Sequence, residues 1–334
     1  MPFVIPFFIP HQGCPHQCLF CNQNSITGKS HSAGDLRNEI EETLNQWLPR
    51  RRKAVETHFA FYGGSFTCLP KTTQKSMLES VQPWLRRGQV DAIRLSTRPD
   101  CVDKKSCGFL ADYGVQVVEL GMQSLDDRVL QASLRGHTEK DCVDAVDHLR
   151  EASFEVGIQL MPGLPRESRY SFMQTVKKAI AMRPSFVRLY PALVVANSGL
   201  ADMYKKGEYN PLSLEMAIAL TAWARRRFSK AGIRVVRMGL QPAESLEKSL
   251  LAGPYHPAFG ELVISRDWLK KTRQLLAANP GKKLKVSISP RDLSAFNGRK
   301  RANAKRLKEL GLADRLEITV DQNMERGKIK HVVC

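Results

Sequence analysis

Short apolar runs alternate with amphipathic stretches along roughly the first 240 residues. The apolar runs have strand length and lie at Phe3 to Ile9, Thr57 to Tyr62, Ala92 to Ser96, Val115 to Leu120, Glu155 to Leu160 and Phe186 to Leu189. Between them apolar residues recur at helical spacing, as in the stretch from Asp35 to Trp47. Strands that alternate with helices favour right-handed βαβ units and a parallel sheet. The pattern predicts an α/β fold, a partial (open) parallel β/α barrel of about six strands.

Glycine-rich and polar motifs follow directly after these strands. They are the cysteine loop 14–21, Gly63-Gly64-Ser65, Thr97 to Asp100, Gly121 to Ser124, Met161 to Pro165, and Tyr190-Pro191. Because the C-terminal ends of parallel strands form one face of a barrel, we expect these motifs to converge in space. Thr138 is predicted to cap the helix that follows, with Asp141 at its third position.

The last third of the chain has a different character, because basic residues crowd it from Lys282 onward. The predicted elements are a helix at Leu214 to Phe228, a strand at Ile233 to Met238 that could extend the sheet, a strand at Leu284 to Ile288, a basic helix at about Leu293 to Leu310, and a strand at Leu316 to Val320. We therefore predict a core domain over residues 1–240 and a small basic C-terminal α/β extension over residues 241–334. This extension could bind substrate or RNA, with Phe296 and Tyr255 stacking on unpaired bases, or could simply present a solvated basic face.

Three cysteines directly follow the first strand, at positions 14, 18 and 21. Thiolates at these spacings in a short loop can converge on one metal centre. Structural zinc sites and iron–sulfur clusters usually have four protein ligands, so three cysteines leave one metal position open for a substrate or cofactor. The alternative is a zinc loop with His11 or His16 as the fourth ligand.

Composition and charge narrow the class of protein. The chain has 334 residues, 43% of them hydrophobic and 25% charged, which is typical of a globular protein. No apolar run has the length of a membrane span, so we expect no membrane partner and a cytoplasmic location. The five cysteines outside the loop show no regular disulfide framework. A net charge of +18 suggests a polyanionic partner, nucleic acid first, although a generally basic surface is an equal alternative.

The cysteine spacing resembles the signature of the radical S-adenosylmethionine (SAM) superfamily, which also has an aromatic residue before the third cysteine, here Phe20. That resemblance implies a [4Fe-4S] cluster held by Cys14, Cys18 and Cys21, with SAM on the fourth iron. One electron then cleaves SAM to a 5′-deoxyadenosyl radical, which abstracts hydrogen from the substrate. It also implies an electron donor such as flavodoxin or ferredoxin.

The ordered motifs between residues 5 and 210 are similar to the radical SAM domain of the catalytic subunit of Elongator, which modifies the wobble uridine of tRNA. Tyr62-Gly63-Gly64-Ser65, Gly121-Met122-Gln123-Ser124 and Arg135-Gly136-His137-Thr138 carry much of that resemblance. Ser65 departs from the family, which often has an acidic residue there. The sequence ends at Cys334, where we expect no room for the acetyltransferase domain of Elongator, so carboxymethyl-type chemistry is not carried over.

The resemblance also implies individual roles. Implied SAM contacts are Phe20, Gly63, Gly64, Ser65, Gln123, Ser124, Arg135, Met161 and Gly163, with a surface ion pair as the alternative for Arg135. Candidate catalytic residues are Glu119, Tyr190, Lys205 and His256. A carboxylate at Glu119, inside the predicted barrel, would need a partner, which favours a ligand role. His256 lies in the turn-rich loop 253–261, where a structural role is an equal alternative.

Three functional hypotheses follow from the sequence. The first is a radical SAM enzyme that modifies RNA, in particular a tRNA base. The second is the same radical chemistry on a small anionic metabolite. The third, from another class, is a non-catalytic, zinc-stabilised nucleic-acid-binding protein.

Overall fold

The structure is a computed structural model that describes residues 2–9, 14, 16–22, 36–51 and 55–334. The candidate ligand His11, and Asp35 at the predicted start of the first helix, lie outside these residues. The strands are β1 Phe3–Phe8, β2 Thr57–Tyr62, β3 Ala92–Thr97, β4 Val115–Gln123, β5 Glu155–Leu160, β6 Phe186–Leu189, β7 Val194–Val195, β8 Arg234–Met238, β9 Leu250–Ala252, β10 Leu284–Ile288, β11 Leu316–Val320 and β12 Ile329–Val333. The helices are α1 Leu36–Trp47, α2 Lys71–Arg86, α3 Lys104–Asp112, α4 Asp127–Ala132, α5 Glu139–Glu151, α6 Arg169–Ala181, α7 Gly199–Lys205, α8 Leu214–Lys230, α9 Glu244–Ser249, α10 Phe259–Ala278, α11 Leu293–Asn297 and α12 Ala302–Glu309. Among the described residues no helix is long and apolar enough to cross a membrane.

A seven-stranded sheet in the order β1-β2-β3-β4-β5-β6-β8 forms the centre of the fold. Every neighbouring pair in it is parallel. The sheet ends at β1 on one side and β8 on the other, so it is an open half-barrel and the predicted α/β fold is confirmed. The sequence pattern predicted about six strands, and β8 is the seventh, since it pairs with β6 and extends the sheet.

Burial on both faces explains why the strands are so apolar. Phe59, Ala60 and Phe61 of β2 are fully buried, and the ring of Phe61 lies 5.0 Å from that of Phe66 and 6.0 Å from that of Phe7. Parallel sheets covered by helices have this near-continuous apolar character. Aromatic packing therefore fixes β1 against β2, and so fixes where the cysteine loop begins.

Capping residues set the helix starts that follow the strand-end motifs. Thr138 accepts a hydrogen bond from the Asp141 backbone N–H, and the Asp141 side chain bonds the Thr138 N–H in return, which confirms the predicted capping box. Asp103 and Ser106 form the same arrangement at the start of α3. These caps end the loops at defined residues, so the motifs before them have fixed positions.

The chain divides into two compact units, one made of residues 1–213 and 224–255 and the other of residues 214–223 and 256–334. In the second unit, β10 pairs with β11 in parallel and with β12 in antiparallel orientation. Its core contains Trp268, Leu276, Leu284, Val286, Ile288, Phe296 and Leu307. The unit thus has its own hydrophobic core.

Two sequence-based expectations for the basic segment are wrong. The predicted single helix is two helices, α11 and α12, because Gly298 at φ +73° ends the first one. Phe296 is 3% exposed and packs against Trp268 with ring centroids 5.6 Å apart, so its ring cannot stack on RNA bases.

Candidate active site

The cysteine loop after β1 is held from both sides by backbone hydrogen bonds. Leu19 N–H donates to the Ser133 carbonyl at 3.1 Å, and the Leu19 carbonyl accepts from the Leu200 N–H at 2.7 Å. A Cβ on Gly199 would come within 2.6 Å of the Leu19 side chain, so glycine lets the loop lie close to α7. Within the loop, Cys21 N–H donates to the Cys18 carbonyl at 3.0 Å. The loop is therefore fixed by the elements that follow β4 and β6.

Two buried guanidinium groups face the thiol of Cys18. Arg135 Nη1 donates to Cys18 Sγ at 3.3 Å and Arg98 Nη1 lies 4.0 Å from the same sulfur. Arg98 is oriented by two 2.9 Å bonds to the Asp100 carboxylate, and it donates to the Arg135 carbonyl at 2.5 Å. Both arginines therefore bring positive charge to the sulfur of Cys18.

Cys14 is influenced by the same two arginines. Burial raises the pKa of the Cys14 thiol, while the positive charges of Arg135 and Arg98 act to lower it. Within the described ranges no three His, Cys, Asp or Glu side chains are arranged to hold a metal ion. The assignment of Cys14, Cys18 and Cys21 as cluster ligands therefore depends on donor chemistry and charge, since the described thiol groups are not already arranged as a set of metal ligands.

Ser65 organises the loop after β3 rather than projecting a free hydroxyl. Its Oγ accepts from the Arg98 N–H at 3.0 Å and lies 3.0 Å from Thr97 Oγ1 and 2.9 Å from Cys68 Sγ. Cys68 forms a disulfide with Cys101, so the loops after β2 and β3 are also joined covalently. The sequence spacing indicated no such pairing, because the two cysteines become neighbours only when β2 and β3 pair.

Gly63 allows the loop after β2 to pass close to β1. Its φ is +93°, and an added Cβ would lie 2.8 Å from the Ile9 carbonyl oxygen. We expect Gly63→Ala to cost roughly 3 kcal/mol in the free energy of unfolding, because left-handed strain and a backbone clash add together. Gly88 also has a positive φ but no atom within 4 Å of an added Cβ, so Gly88→Ala should cost only about 1 kcal/mol. Urea unfolding compares the two variants, and equal losses would contradict the close approach.

Gln123, the last residue of β4, and Ser124, the residue after it, have different side-chain partners. Gln123, at φ +69°, accepts a 3.1 Å bond from Gln159 Nε2 through its side-chain oxygen. The Ser124 side chain is fully buried, with its hydroxyl 3.3 Å from Thr175 Oγ1. Gln123 therefore belongs to a side-chain amide pair, whereas the Ser124 hydroxyl is engaged with α6.

Two of the implied SAM contacts, Phe20 and Met161, lie together in an apolar patch. Phe20 and Met161 both pack against a buried cluster of Val129, Leu164 and Ala192. The structure thus brings two of the predicted SAM contacts together, from the cysteine loop and from the loop after β5.

Gly163 anchors the same loop through its backbone. Its N–H donates to Glu167 Oε2 at 2.6 Å, and its carbonyl accepts from the Tyr209 hydroxyl at 2.5 Å. Burial raises the pKa of Glu167 to about 8. Gly163 has φ +94°, and an added Cβ would be 2.9 Å from the Leu212 side chain, so glycine is required for this turn.

Gly64, another implied SAM contact, is half-buried in the bend beside Gly63.

Glu119 lies inside the half-barrel and has protein partners. Its Oε1 accepts from the Tyr62 hydroxyl at 2.7 Å, from Arg94 Nη2 at 2.7 Å and from Arg188 Nη2 at 3.0 Å. Arg188 Nη1 also donates to the Tyr190 hydroxyl at 3.1 Å. The partner that the sequence required for this buried carboxylate is therefore supplied by two arginines and a tyrosine.

The other candidate catalytic residues lie apart from this cluster or in another unit. Lys205 is exposed in the last turn of α7. His256 belongs to the second unit, where its Nδ1 accepts from the Ala258 N–H at 2.9 Å and its Nε2 contacts Arg299. Of the four, the structure brings Glu119 and Tyr190 together, through Arg188.

His137 is a buried neutral histidine next to the arginine pair. Burial and the charge of Arg135 lower its pKa from 6.5 to about 3. Between these values the unfolded chain binds a proton that the folded chain does not, so stability falls as pH falls from 6.5 toward 3. Between pH 6.5 and 4.5 we expect the wild type to lose about 2 kcal/mol more than His137→Gln. Urea unfolding at several pH values measures both slopes, and identical slopes would contradict a neutral His137.

Four residues of the site had no role predicted from the sequence, namely Tyr62, Arg94, Arg98 and Arg188. Arg94 and Arg188 could have been found, because a single arginine inside a mostly apolar strand, as in β3 and β6, must have a buried partner. Which partner it finds depends on the curvature of the sheet.

Comparison with known protein families shows which family the chain belongs to. The family model "Radical SAM superfamily" matches residues 8–179, which is more than half of the chain. A second model, "Radical_SAM C-terminal domain", matches residues 184–270. The first match includes the three-cysteine loop and β2 to β5.

Individual relatives agree with this family. An uncharacterized protein of Methanocaldococcus jannaschii is 30% identical over 62% of this chain and 66% of its own length. The tRNA uridine(34) acetyltransferase of the same organism is 32% identical over 40% of this chain, which corresponds to 25% of its own length. The structure of the archaeal Methanocaldococcus infernus Elp3 has the same fold, with a TM-score of 0.64 at 22% identity, over 81% of this chain and 63% of that one. The chain belongs to the radical SAM superfamily of enzymes, in which it resembles the radical SAM domain of Elongator complex protein 3.

Proposed function

We propose that this enzyme holds a [4Fe-4S] cluster through Cys14, Cys18 and Cys21, cleaves SAM reductively to a 5′-deoxyadenosyl radical, and uses it to modify a tRNA base. The observation that carries the proposal is the pair of guanidinium groups, from Arg98 and Arg135, that faces the Cys18 thiol within a radical SAM domain. When bound, such a cluster supplies the single electron that breaks a bond of SAM.

The residues present fit this cofactor in chemistry and charge. Thiolates are the ligands that iron–sulfur clusters prefer, and nearby arginines offset the negative charge that three thiolates bring. Arg135 Nε is buried and has no hydrogen-bond partner among the described residues. A buried donor of this kind fits an external acceptor such as the SAM carboxylate.

The other proposed SAM contacts divide by their surroundings. Phe20 and Met161 present apolar surface suited to adenine, while Gly63 brings its backbone close to the end of β1, with Gly64 beside it in the bend. Gln123 offers a side-chain amide, and Gly163 shapes the loop that carries Met161. Ser65 and Ser124 would act by positioning neighbours, since their hydroxyls are engaged with Arg98 and Thr175.

The proposed RNA substrate is supported by charge and by relatives. Residues 256–334 contain 18 Lys and Arg against 8 Asp and Glu, which suits binding to phosphates. Relatives named tRNA uridine(34) acetyltransferase and Elongator complex protein 3 match the chain over part of their length. Residues 241–334 are the proposed substrate- or RNA-binding element, and Lys205 and His256 stay candidate catalytic residues, each in its own unit.

Anaerobic reconstitution tests this function. The protein, loaded with iron and sulfide, is mixed with SAM and bulk tRNA, with dithionite in place of a flavodoxin or ferredoxin donor. We expect 5′-deoxyadenosine together with a new nucleoside mass in the digested tRNA. RNase-treated tRNA should give no new nucleoside.

Other outcomes identify the alternatives. SAM cleavage that is stimulated by a small polyanion and not by tRNA would contradict the RNA substrate while keeping the radical chemistry. Stoichiometric zinc without bound sulfide, and no SAM cleavage, would contradict the enzyme and favour the zinc-stabilised binding protein.

A further inference from the structure

A row of paired positions, one glycine and three polar residues, crosses the inner face of the half-barrel. Gly121 of β4 pairs with Gln159 of β5, Gln159 pairs with Arg188 of β6, and Arg188 pairs with Arg237 of β8. Partners in a parallel ladder direct their side chains to the same face of the sheet. The register shifts by one residue just before Arg188, which makes Arg237 rather than Val236 its partner. Bulges of this kind commonly re-aim a side chain next to a site.

The contacts of Arg188 show that this face is the concave interior. Its guanidinium reaches Glu119 on β4 and the Tyr62 hydroxyl on β2, at 3.0 Å and 2.9 Å. These strands are not neighbours of β6, so the side chains can meet only across the curve of the sheet. Arg188 is therefore held by groups from two other strands of the barrel, and its side chain is still 20% exposed.

Positive charge exceeds negative charge on this face. Arg94 and Arg188 share the single carboxylate of Glu119. Burial and the charge of Arg94 lower the pKa of His58, so that group is uncharged at neutral pH. Tyr62 has a raised pKa because of burial and the Glu119 charge, so it is neutral. Arg237 makes no hydrogen bond or ion pair with any part of the chain that the structure describes, and it is half-buried.

The row also connects to the proposed cofactor site. Arg135, which donates to Cys18, also donates to the Gly121 carbonyl at 2.5 Å, and an added Cβ on Gly121 would be 3.1 Å from its guanidinium. Gln123, beside it, is bonded to Gln159 of the row. A ligand lying on Gln159, Arg188 and Arg237 would therefore extend toward the cysteine loop.

We propose that Arg188 and Arg237, with Tyr190 and Gln159, form an anion subsite that binds a phosphate or carboxylate group of the substrate inside the half-barrel. Two adjacent guanidinium groups, one pre-oriented and one unpartnered, suit a doubly charged oxyanion, and buried positive charge is stabilised by such a partner. The subsite would orient the substrate with its anionic end at β6 and β8 and its reacting end toward β4. That the bound anion is the substrate of the reaction rests on the proposed function. That an anion binds here does not.

Calorimetric titration of the 334-residue, cluster-loaded protein with uridine monophosphate, uridine and citrate tests the subsite. We expect uridine monophosphate to bind and uridine to bind at least about tenfold more weakly, because a charge-assisted bond is lost. Arg237→Gln should weaken binding of the anion about tenfold or more, and Arg237→Lys should retain part of it, because it keeps the charge without the fork.

Arg234→Gln is the matched control. Arg234 lies on the same strand but is 61% exposed and ion-paired with Glu155 at 3.6 Å, so its replacement should leave binding unchanged. If only uridine monophosphate binds with an affinity that depends on Arg237, the ligand group is a phosphate. If only citrate does so, the ligand group is a carboxylate. Wild-type affinity in Arg237→Gln, or equal binding of uridine and its monophosphate without binding of citrate, would overturn the proposal. A wild type that binds the anion but cleaves no SAM would contradict the proposed function and leave the subsite standing.

Discussion

Replacement of Cys18 by alanine should abolish cluster loading and, with it, cleavage of SAM. Cys18 is buried and is the thiol that receives the Arg135 hydrogen bond at 3.3 Å, so its removal deletes a ligand together with the contact that fixes the arginine. Loss of an outer-shell partner alone costs about 10- to 100-fold in metal affinity, and loss of a ligand should cost more. Iron and acid-labile sulfide content, with 5′-deoxyadenosine formation, measure the effect.

Cys107→Ala is the matched control for this prediction. Cys107 is also buried, on α3, and burial raises the pKa of its thiol to about 11, which is typical of an inert structural cysteine. We expect this variant to load a full cluster. Normal iron and sulfide content in Cys18→Ala would exclude Cys18 as a ligand.

Replacement of Glu119 by glutamine should destabilise the fold by about 3–5 kcal/mol, because two arginines would share a buried site with no carboxylate. Arg94 and Glu119 side chains are 8% and 7% exposed, so water cannot restore the lost charge interaction. The glutamine has nearly the same shape, which separates the effect of charge from that of packing. Urea unfolding of the two proteins gives the difference directly.

Glu155→Gln makes the same change on the neighbouring strand β5. Glu155 is 40% exposed and its partner Arg234 is 61% exposed, so its loss should cost less than about 1 kcal/mol. A loss in Glu119→Gln no larger than in Glu155→Gln would show that the interior ion pairs contribute little. It would also weaken the case for excess positive charge in the half-barrel.

Local chemistry in the sequence was enough to predict most of the fold. Mostly apolar runs of strand length became β2, β5 and β6 with the predicted ends, since strands covered on both faces are rich in apolar residues. Alternation with helices predicted parallel pairing, and the spacing of Thr138 and Asp141 predicted a capping box. The cysteine spacing and the ordered motifs indicated the superfamily that the family model then matched.

Features that depend on distant parts of the chain could not be predicted from the sequence. The contact of Arg135 with Cys18 joins residues 117 positions apart, and the partners of Glu119 come from β2, β3 and β6. The disulfide between Cys68 and Cys101 and the burial of Phe296 likewise follow from packing rather than from periodicity. Side-chain type and spacing determined which groups lie at strand ends or inside strands. Only the curvature and register of the sheet decided which of those groups meet.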